Sequence, residues 1–343
     1  MKTVRTHSIV MAVIFTIIVF TVPAAAQEQT IKRITFKDGT IITGTVIKMN
    51  TATIEMRTGD GKTVTSGFDD IASIEEPTAA QAVAGGNPSH SLLHTHNYRI
   101  GLTGHYYDYE EPGFMELEGF MYGLVGNYTY HGTCGIMIAV DLEYSYGGDH
   151  TYKGRTWAGT PLETNDTDVW MFEGRAVLGH DFIIQRKSVI TPFAGIGYHY
   201  LNTDNSKIPG SGGYEREIHY TYTPIGIQTV SPLSQKWTWG LKGEYDYFWG
   251  GRVESHLSNA VSGYNDPVNT EDRGDGYGIR VSLEFKRMVT EGHAYTVEFF
   301  YRKWDVNRSD LVPLTLNGTP TGTLVYEPGN NTDTYGIRVG VEF

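Results

Sequence analysis

Cysteine is almost missing from this chain. Cys134 is the only one in 343 residues, so neither an internal disulfide framework nor a zinc ribbon can hold the fold together. Basic charge is also short: 27 Lys and Arg stand against 39 Asp and Glu, a formal charge of −12. That balance excludes a nucleic-acid binder driven by phosphate neutralisation, which needs a basic face. After Ala26 no apolar run approaches the roughly 18 residues of a membrane-spanning helix, so none is expected. Glycine and tyrosine are abundant instead, at 41 and 23. Together with a mean hydropathy of −0.30, they suggest many short strands and turns rather than a helical bundle.

Residues 1–26 read as a secretory signal. Lys2, Arg5 and His7 make a basic start, Ile9 to Val22 form an apolar run too short for a comfortable bilayer span, and Ala24-Ala25-Ala26 satisfies a small-x-small cleavage rule. No cysteine follows the run, so no lipid anchor is expected there. Cys134 would then be a lone, inert thiol near a turn of an exported protein.

Residues 27–76 are expected to form a small β domain. Between Arg33 and Glu75 apolar residues alternate with period two, interrupted by Asp38-Gly39 and Gly59-Asp60-Gly61. Such turn signals between alternating runs mark hairpins. Five short strands in this space resemble a small Sm-like or SH3-like barrel. Residues 77–97, rich in Ala, Gly, Ser and Pro, read as a flexible linker. His90, His94 and His96 have a spacing that could meet one metal ion, but no carboxylate or thiol accompanies them locally, so no metal site is assigned.

From residue 98 to 343 the chain falls into ten alternating segments of about 10–14 residues, long enough to cross a membrane at a tilt. They are Tyr98–Tyr109, Glu118–Tyr130, Gly135–Tyr146, Asp168–Phe182, Val189–Leu201, Ile218–Val230, Lys236–Trp249, Gly276–Arg287, Ala294–Trp304 and Thr334–Phe343. Connections after even segments are short: His131 to Thr133, Gln185 to Lys187, Ser231 to Gln235 and Val289 to Gly292. After odd segments all but the first are long: Gly147 to Asn165, Asn202 to Glu215, Gly250 to Arg273 and Asp305 to Asn331. A soluble β-sandwich has no reason to sort its loops by parity.

Aromatic positions point the same way. With the long loops outside, Tyr144, Tyr146, Trp170, Tyr198, Tyr200, Tyr220, Tyr222, Tyr245, Tyr247, Tyr277 and Tyr335 fall near an outer rim. Tyr98, Tyr128, Tyr130, Trp237, Phe285, Tyr295 and Phe343 fall near an inner one. Two girdles of amphipathic rings suit the two interfaces of a bilayer.

The last segment places Tyr335, Ile337, Val339, Val341 and Phe343 on one face and ends on the aromatic ring. It resembles the terminal signal of bacterial outer-membrane barrel proteins, and the resemblance extends over residues 98–343. It implies an all-β fold: a ten-stranded antiparallel transmembrane β-barrel with the small domain in the periplasm. It also implies the outer membrane as location, the lipid bilayer as partner and the barrel-assembly machinery during insertion, with an unpaired edge strand read by strand addition.

The opposite faces collect charges of both signs. Asp141, Glu143, Glu173, Arg175, Lys242, Glu244, Arg280, Glu284, Glu298, Arg302, Arg338 and Glu342 are expected in the lumen, with Arg99, His105 and Asp246 beside them. They could line a selective conduit. A salt-bridged plug is favoured, because ten strands lie nearer to the filled interiors of eight-stranded barrels than to open porins.

A ten-stranded barrel with tall outer loops also resembles the omptin surface proteases. That resemblance implies an acidic pair and an acid–histidine pair at the outer rim, activating a water. Asp166 and Asp168 open the fourth segment, and Glu254 and His256 follow the seventh, with Glu at the position where the family has Asp. The preferred expectation is a structural, binding or narrow-passage surface protein without catalysis or cofactor, with a possible extracellular ligand at the long loops. An omptin-like peptidase and a small selective porin are the alternatives. Arg273-Gly274-Asp275 matches an integrin-binding tripeptide but reads as a turn.

Overall fold

The structure is a computed structural model that describes residues 31–49, 52–58, 61–75, 92–156, 159–184, 188–207, 212–234, 236–290 and 292–343. The expected signal segment, most of the expected linker, His90 and the turn Gln185 to Lys187 lie outside the described residues. The chain divides into two compact units, one within residues 1–87 and one within 88–343.

In the first unit, β1 (Ile31–Phe36), β2 (Ile41–Met49), β3 (Thr53–Thr58), β4 (Thr63–Gly67) and β5 (Ile71–Glu75) form one antiparallel sheet. Its order is β4-β3-β2-β1-β5, so the last strand returns to pair with the first. Ile34, Ile54 and Met56 are buried at its centre, with Phe36, Val46, Phe68 and Ile71 packed against them. The Asp38-Gly39 turn forms as the sequence suggests: Gly39 has φ +87° and Asp38 accepts a hydrogen bond from the Thr40 N–H at 2.8 Å.

The second unit is a closed antiparallel barrel of ten long strands. They are β6 (His96–Glu111), β7 (Met115–His131), β8 (Ile136–Arg155), β9 (Pro161–His180), β11 (Ser188–Asp204), β12 (Glu215–Pro232), β13 (Trp237–Ser255), β15 (Gly276–Thr290), β16 (His293–Val306) and β19 (Asn330–Glu342). Each pairs with the next, β10 (Phe182–Ile184) continues the wall after β9, and β19 closes the ring on β6. No helix among the described residues is long and apolar enough to cross a membrane; strands do it.

The outward face dates the membrane's level along each strand. On β6, Tyr98, Ile100 and Leu102 are exposed apolar residues, Tyr106 ends the series, and Asp108 and Glu110 follow. On β16 the series Tyr295, Val297, Phe299, Tyr301 gives way to Lys303 and Asp305. The band therefore needs only about nine to eleven residues per strand, whereas the strands run from 13 to 20 residues. The surplus projects beyond the bilayer at the loop end. Much of Gly147 to Asn165, expected as a loop, is strand: β8 continues to Arg155 and β9 begins at Pro161. The expected linker likewise ends early, since β6 already begins at His96.

Two outer connections are themselves structured. Between β13 and β15 lie a short 3-10 turn (Leu257–Asn259) and β14 (Val268–Glu271), which pairs back on β13. Between β16 and β19, β17 (Val312–Leu316) and β18 (Thr319–Val325) make a hairpin.

Candidate functional site

The inward face of the barrel is where charge accumulates. Arg280 on β15 reaches across the lumen to Glu173 on β9 at 2.5 Å and also meets Asp246 at 2.6 Å. Arg302 on β16 joins Glu173 to Glu143 on β8, at 2.9 Å from the latter, and Arg338 on β19 joins Glu143 (2.7 Å) to Glu298 (3.2 Å). Arg175 bridges Asp141 (2.9 Å) and Glu244. Nearer the turn end, Arg99 holds Glu284 (2.5 Å) and Glu342 (3.2 Å), and Lys286 holds Glu342 at 2.7 Å. Planar guanidinium groups suit such two-sided bridges, which a lysine could not make in the same geometry.

Above this network the lumen is filled with rings and aliphatic chains. Tyr222 and Phe248 at 0 % exposure and Trp304 at 1 % pack with Tyr220, Met171, Leu201, Ile218 and Val253. The two layers are tied together, since the Tyr222 hydroxyl donates to Glu173 and accepts from Arg280 at 3.0 Å. Gly197 makes this possible: a Cβ there would lie 2.2 Å from the Tyr222 ring. Tyr220 and Tyr222 thus correct the expected outer girdle. On β12 the lipid face is carried by Ile225 and Ile227, and the alternate positions turn inward. Along β12 the apolar positions switch parity at Pro224: Ile218, Tyr220 and Tyr222 face the interior while His219, Thr221 and Thr223 take the outward positions, so ring placement alone did not separate girdle from core.

Toward the turn end the lumen opens into a cavity of about 210 Å³. Its floor toward the loop end is Glu143, Glu173, Arg280 and Arg302; Lys242 and Glu298 line one side, and Met137, Ala139, Val177 and Phe193 form an apolar wall. The buried residues of the outer aromatic core do not border it.

A second cluster sits beyond the membrane band, at the outer mouth. Arg216, at the start of β12, pairs through Nη1 with both Glu111 of β6 and Glu327 of the segment after β18, the latter at 2.6 Å. Its guanidinium lies 5.0 Å from the Tyr109 ring centre. Glu271 of β14 is 3 % exposed, and neither carboxylate oxygen has a hydrogen-bond partner. Burial pushes its carboxyl up to about 8 against the pull of Arg216. Glu327 is likewise held up at about 8, by burial and the neighbouring Glu111 carboxylate, with Arg216 opposing.

All twelve lumen charges singled out in the sequence face the interior: eleven line the cavity, and Glu244 is buried beside Arg175 and Arg280. Arg99, His105 and Asp246 are inward as well. Tyr335, Ile337, Val339, Val341 and Phe343 form an exposed outward stripe on β19 and its end. The four residues matched to the omptin site do not converge. Asp168 is held by the Tyr146 hydroxyl and Lys207, each at 2.9 Å, and Asp166 is exposed. Glu254 pairs with Arg252, while His256 meets Glu217 at 3.1 Å. Asp168 and Glu254 alternate with the buried Thr167, Val169, Val253 and Ser255, so they lie on the outer wall, not in the mouth. Arg273 stacks 4.0 Å from the Trp249 ring centre, and Gly274 takes φ +83° in a turn. Cys134 is exposed in the turn after β7. No group of metal-ligating side chains occurs among the described residues. The mouth cluster of Glu111, Arg216, Glu271 and Glu327 was missed. The one hint is that each falls on the buried parity of its strand or loop.

A closed barrel with a lipid-facing band, ringed by tyrosine and ending in charge, defines an outer-membrane β-barrel protein. Within that class, the chain belongs to the autotransporter β-domain family, which residues 90–295 match. No curated protein matches it in sequence. Among solved structures, it is similar to the outer membrane protease OmpT from Escherichia coli at 14% identity and TM-score 0.51, covering 72% of this chain and 96% of that one. The translocator domain of the autotransporter NalP from Neisseria meningitidis aligns at 10% identity and TM-score 0.38, covering 74% and 91%. The Pseudomonas putida toluene transporter TodX aligns at 9% and 0.32, covering 77% and 93%. At these identities the likeness concerns the fold alone.

Proposed function

We propose that this chain is a sealed surface barrel, without catalysis, whose role is to hold its structured outer loops at the cell exterior for an extracellular ligand. The observation that carries this reading is how the lumen is filled. A cross-barrel network of ion pairs lies beneath a filled aromatic layer, and the cavity ends against it. Opening a path would strand buried charges on both sides, a cost of several kcal/mol per ion. The small β unit belongs in the periplasm on this reading, and the outward stripe ending at Phe343 is what the barrel-assembly machinery reads.

Conductance of the refolded chain in a planar bilayer tests the proposal. No steady current is expected; a steady, ion-selective current would favour a small selective porin. Orientation is tested separately on intact cells. A protease site inserted at the hairpin tip Asn317-Gly318 should be cut from outside, and one inserted at Ser234 should be spared; the reverse pattern would invert the assignment.

An omptin-like peptidase is the second reading. Its support is His256, which has Glu217 at 3.1 Å on one ring nitrogen and Asp266 at 3.7 Å on the other, in a barrel with the fold of OmpT.

A further inference from the structure

The connection from β13 to β15 and the one from β16 to β19 behave as a single cap. Asp310 accepts from the Thr270 N–H at 2.7 Å and from its hydroxyl at 3.0 Å, and the Asp310 N–H donates back to the Thr270 carbonyl at 2.9 Å. Asn269 donates to the Asp310 and Val325 carbonyls at 3.1 and 3.2 Å, and Asn265 exchanges hydrogen bonds with Thr315. Both connections also reach the barrel wall at one buried place. There Glu327 from the second pairs with Arg216 beside Glu111, and Glu271 from the first lies buried within electrostatic reach of the same guanidinium.

We infer that this cap is a proton-operated latch: it closes with Glu271 and Glu327 protonated over Arg216, and loosens when they ionise. Three buried carboxylates face one guanidinium, which can compensate one of them. Among the described residues, the other titratable groups near the cluster supply no compensating positive charge. Tyr220 of β12, Tyr107 and Tyr109 of β6, Tyr152 of β8 and Tyr214 beside β12 are phenols held neutral by burial. His150 of β8 lies behind Tyr107, with ring centres 6.1 Å apart. Glu271 is fitted closely: a Cβ at Gly251 would lie 2.0 Å from its Oε2, and neither oxygen has a partner. A buried carboxylate left like that is costly, a carboxylic acid much less so.

The sign follows from linkage. Opened to water, each glutamate returns toward its ordinary value of 4.5, whereas the closed cap holds both at about 8. Closure therefore takes up protons between those limits. The cap is tightest in acid, and its closing equilibrium weakens by up to about tenfold per pH unit for each glutamate as pH rises toward 8.

Amide exchange of the full refolded chain tests this, with each rate divided by its intrinsic value at that pH. Protection across 268–271 and 309–327 should fall between pH 5 and pH 8, then level off. Glu271→Gln and Glu327→Gln should each flatten the profile, and Glu163→Gln, on the exposed start of β9, should not. Protection independent of pH in the wild type, or an unchanged slope in both glutamine variants, overturns the proposal. Should neither variant refold, the wild-type infrared band of protonated carboxyl decides: its loss as pH rises through about 8 supports the latch, and its absence at pH 6 overturns it.

Discussion

Toward the turns, the lumen holds paired charges around a cavity; toward the loops it holds Tyr222, Phe248, Trp304 and their neighbours packed as a buried core. Both halves satisfy the rule that a barrel of this size fills itself with side chains, yet they do so by different physics. In the inner half, specificity comes from geometry, because each guanidinium must find its carboxylate across the ring. In the outer half it comes from volume, and the surplus strand length beyond the membrane gives that core a wall to pack against. The outer half is thus a small hydrophobic domain built on a membrane anchor, and it presents the cap.

The largest effect should come where the two halves meet. Arg302→Met leaves the neighbouring Glu143 and Glu173 without the cation that reaches both from across the lumen, although Arg338 and Arg280 still hold one each. Breaking a buried ion network from one side costs about 3–5 kcal/mol, read as a lower urea midpoint for the barrel refolded in lipid vesicles. A loss below about 1 kcal/mol would mean that water reaches this layer and that the lumen is not sealed.

A matched pair of methionines sharpens the contrast. Met171 and Met137 are both 1 % exposed, but Met171 sits in the outer core and Met137 borders the turn-side cavity. Met→Ala in a packed core costs about 2–5 kcal/mol, depending on how far the void is left empty. Met171→Ala should fall in the upper half of that range and Met137→Ala at or below its lower end, since its void merges with existing space. Equal losses would erase the distinction between the halves.

How legible was this in the chain? Loop parity, alternation and tyrosine placement were enough for ten strands and for the inward placement of Glu143, Glu173, Arg280 and Arg302, because a bilayer imposes one apolar face over a fixed height. Outside the bilayer that constraint disappears. Much of the stretch from Gly147 to Asn165 pairs as strand with no lipid-facing run to betray it, and Tyr220 and Tyr222 looked like girdle residues because their own interior is also aromatic. The mouth cluster is harder still. Arg216 meets partners 105 and 111 residues away in sequence, on elements that only barrel closure and the cap bring together.

At the outer wall, pairs contribute little. Lys153 holds Glu118 at 2.6 Å, but its side chain is 42 % exposed. Lys153→Ala should leave the urea midpoint almost unchanged, and the small difference should shrink further in high salt, as for exposed pairs in general. A loss comparable to that of Arg302→Met would show that this rim is drier than its exposure implies.

The smallest stability change, and the sharpest functional question, belongs to His256. Burial opposes its protonation, but the hydrogen bond to Glu217 and the surrounding carboxylates outweigh it and hold the imidazole above its usual 6.5. Its contribution is therefore complete below about 6.5 and fades as pH rises through the raised value. A general base should titrate near the working pH and face its water together with its partners. His256 is instead engaged by Glu217, and Glu254, its expected partner, is engaged by Arg252. The refolded chain should leave a basic peptide intact, with or without lipopolysaccharide, and His256→Ala should shift stability by less than about 1 kcal/mol. Cleavage abolished by His256→Ala would make this barrel a peptidase with its site on the outer wall, and the absence of catalysis proposed above would be wrong. Cleavage surviving the substitution would exclude His256 and move the search to the mouth cluster around Glu271 and Arg216.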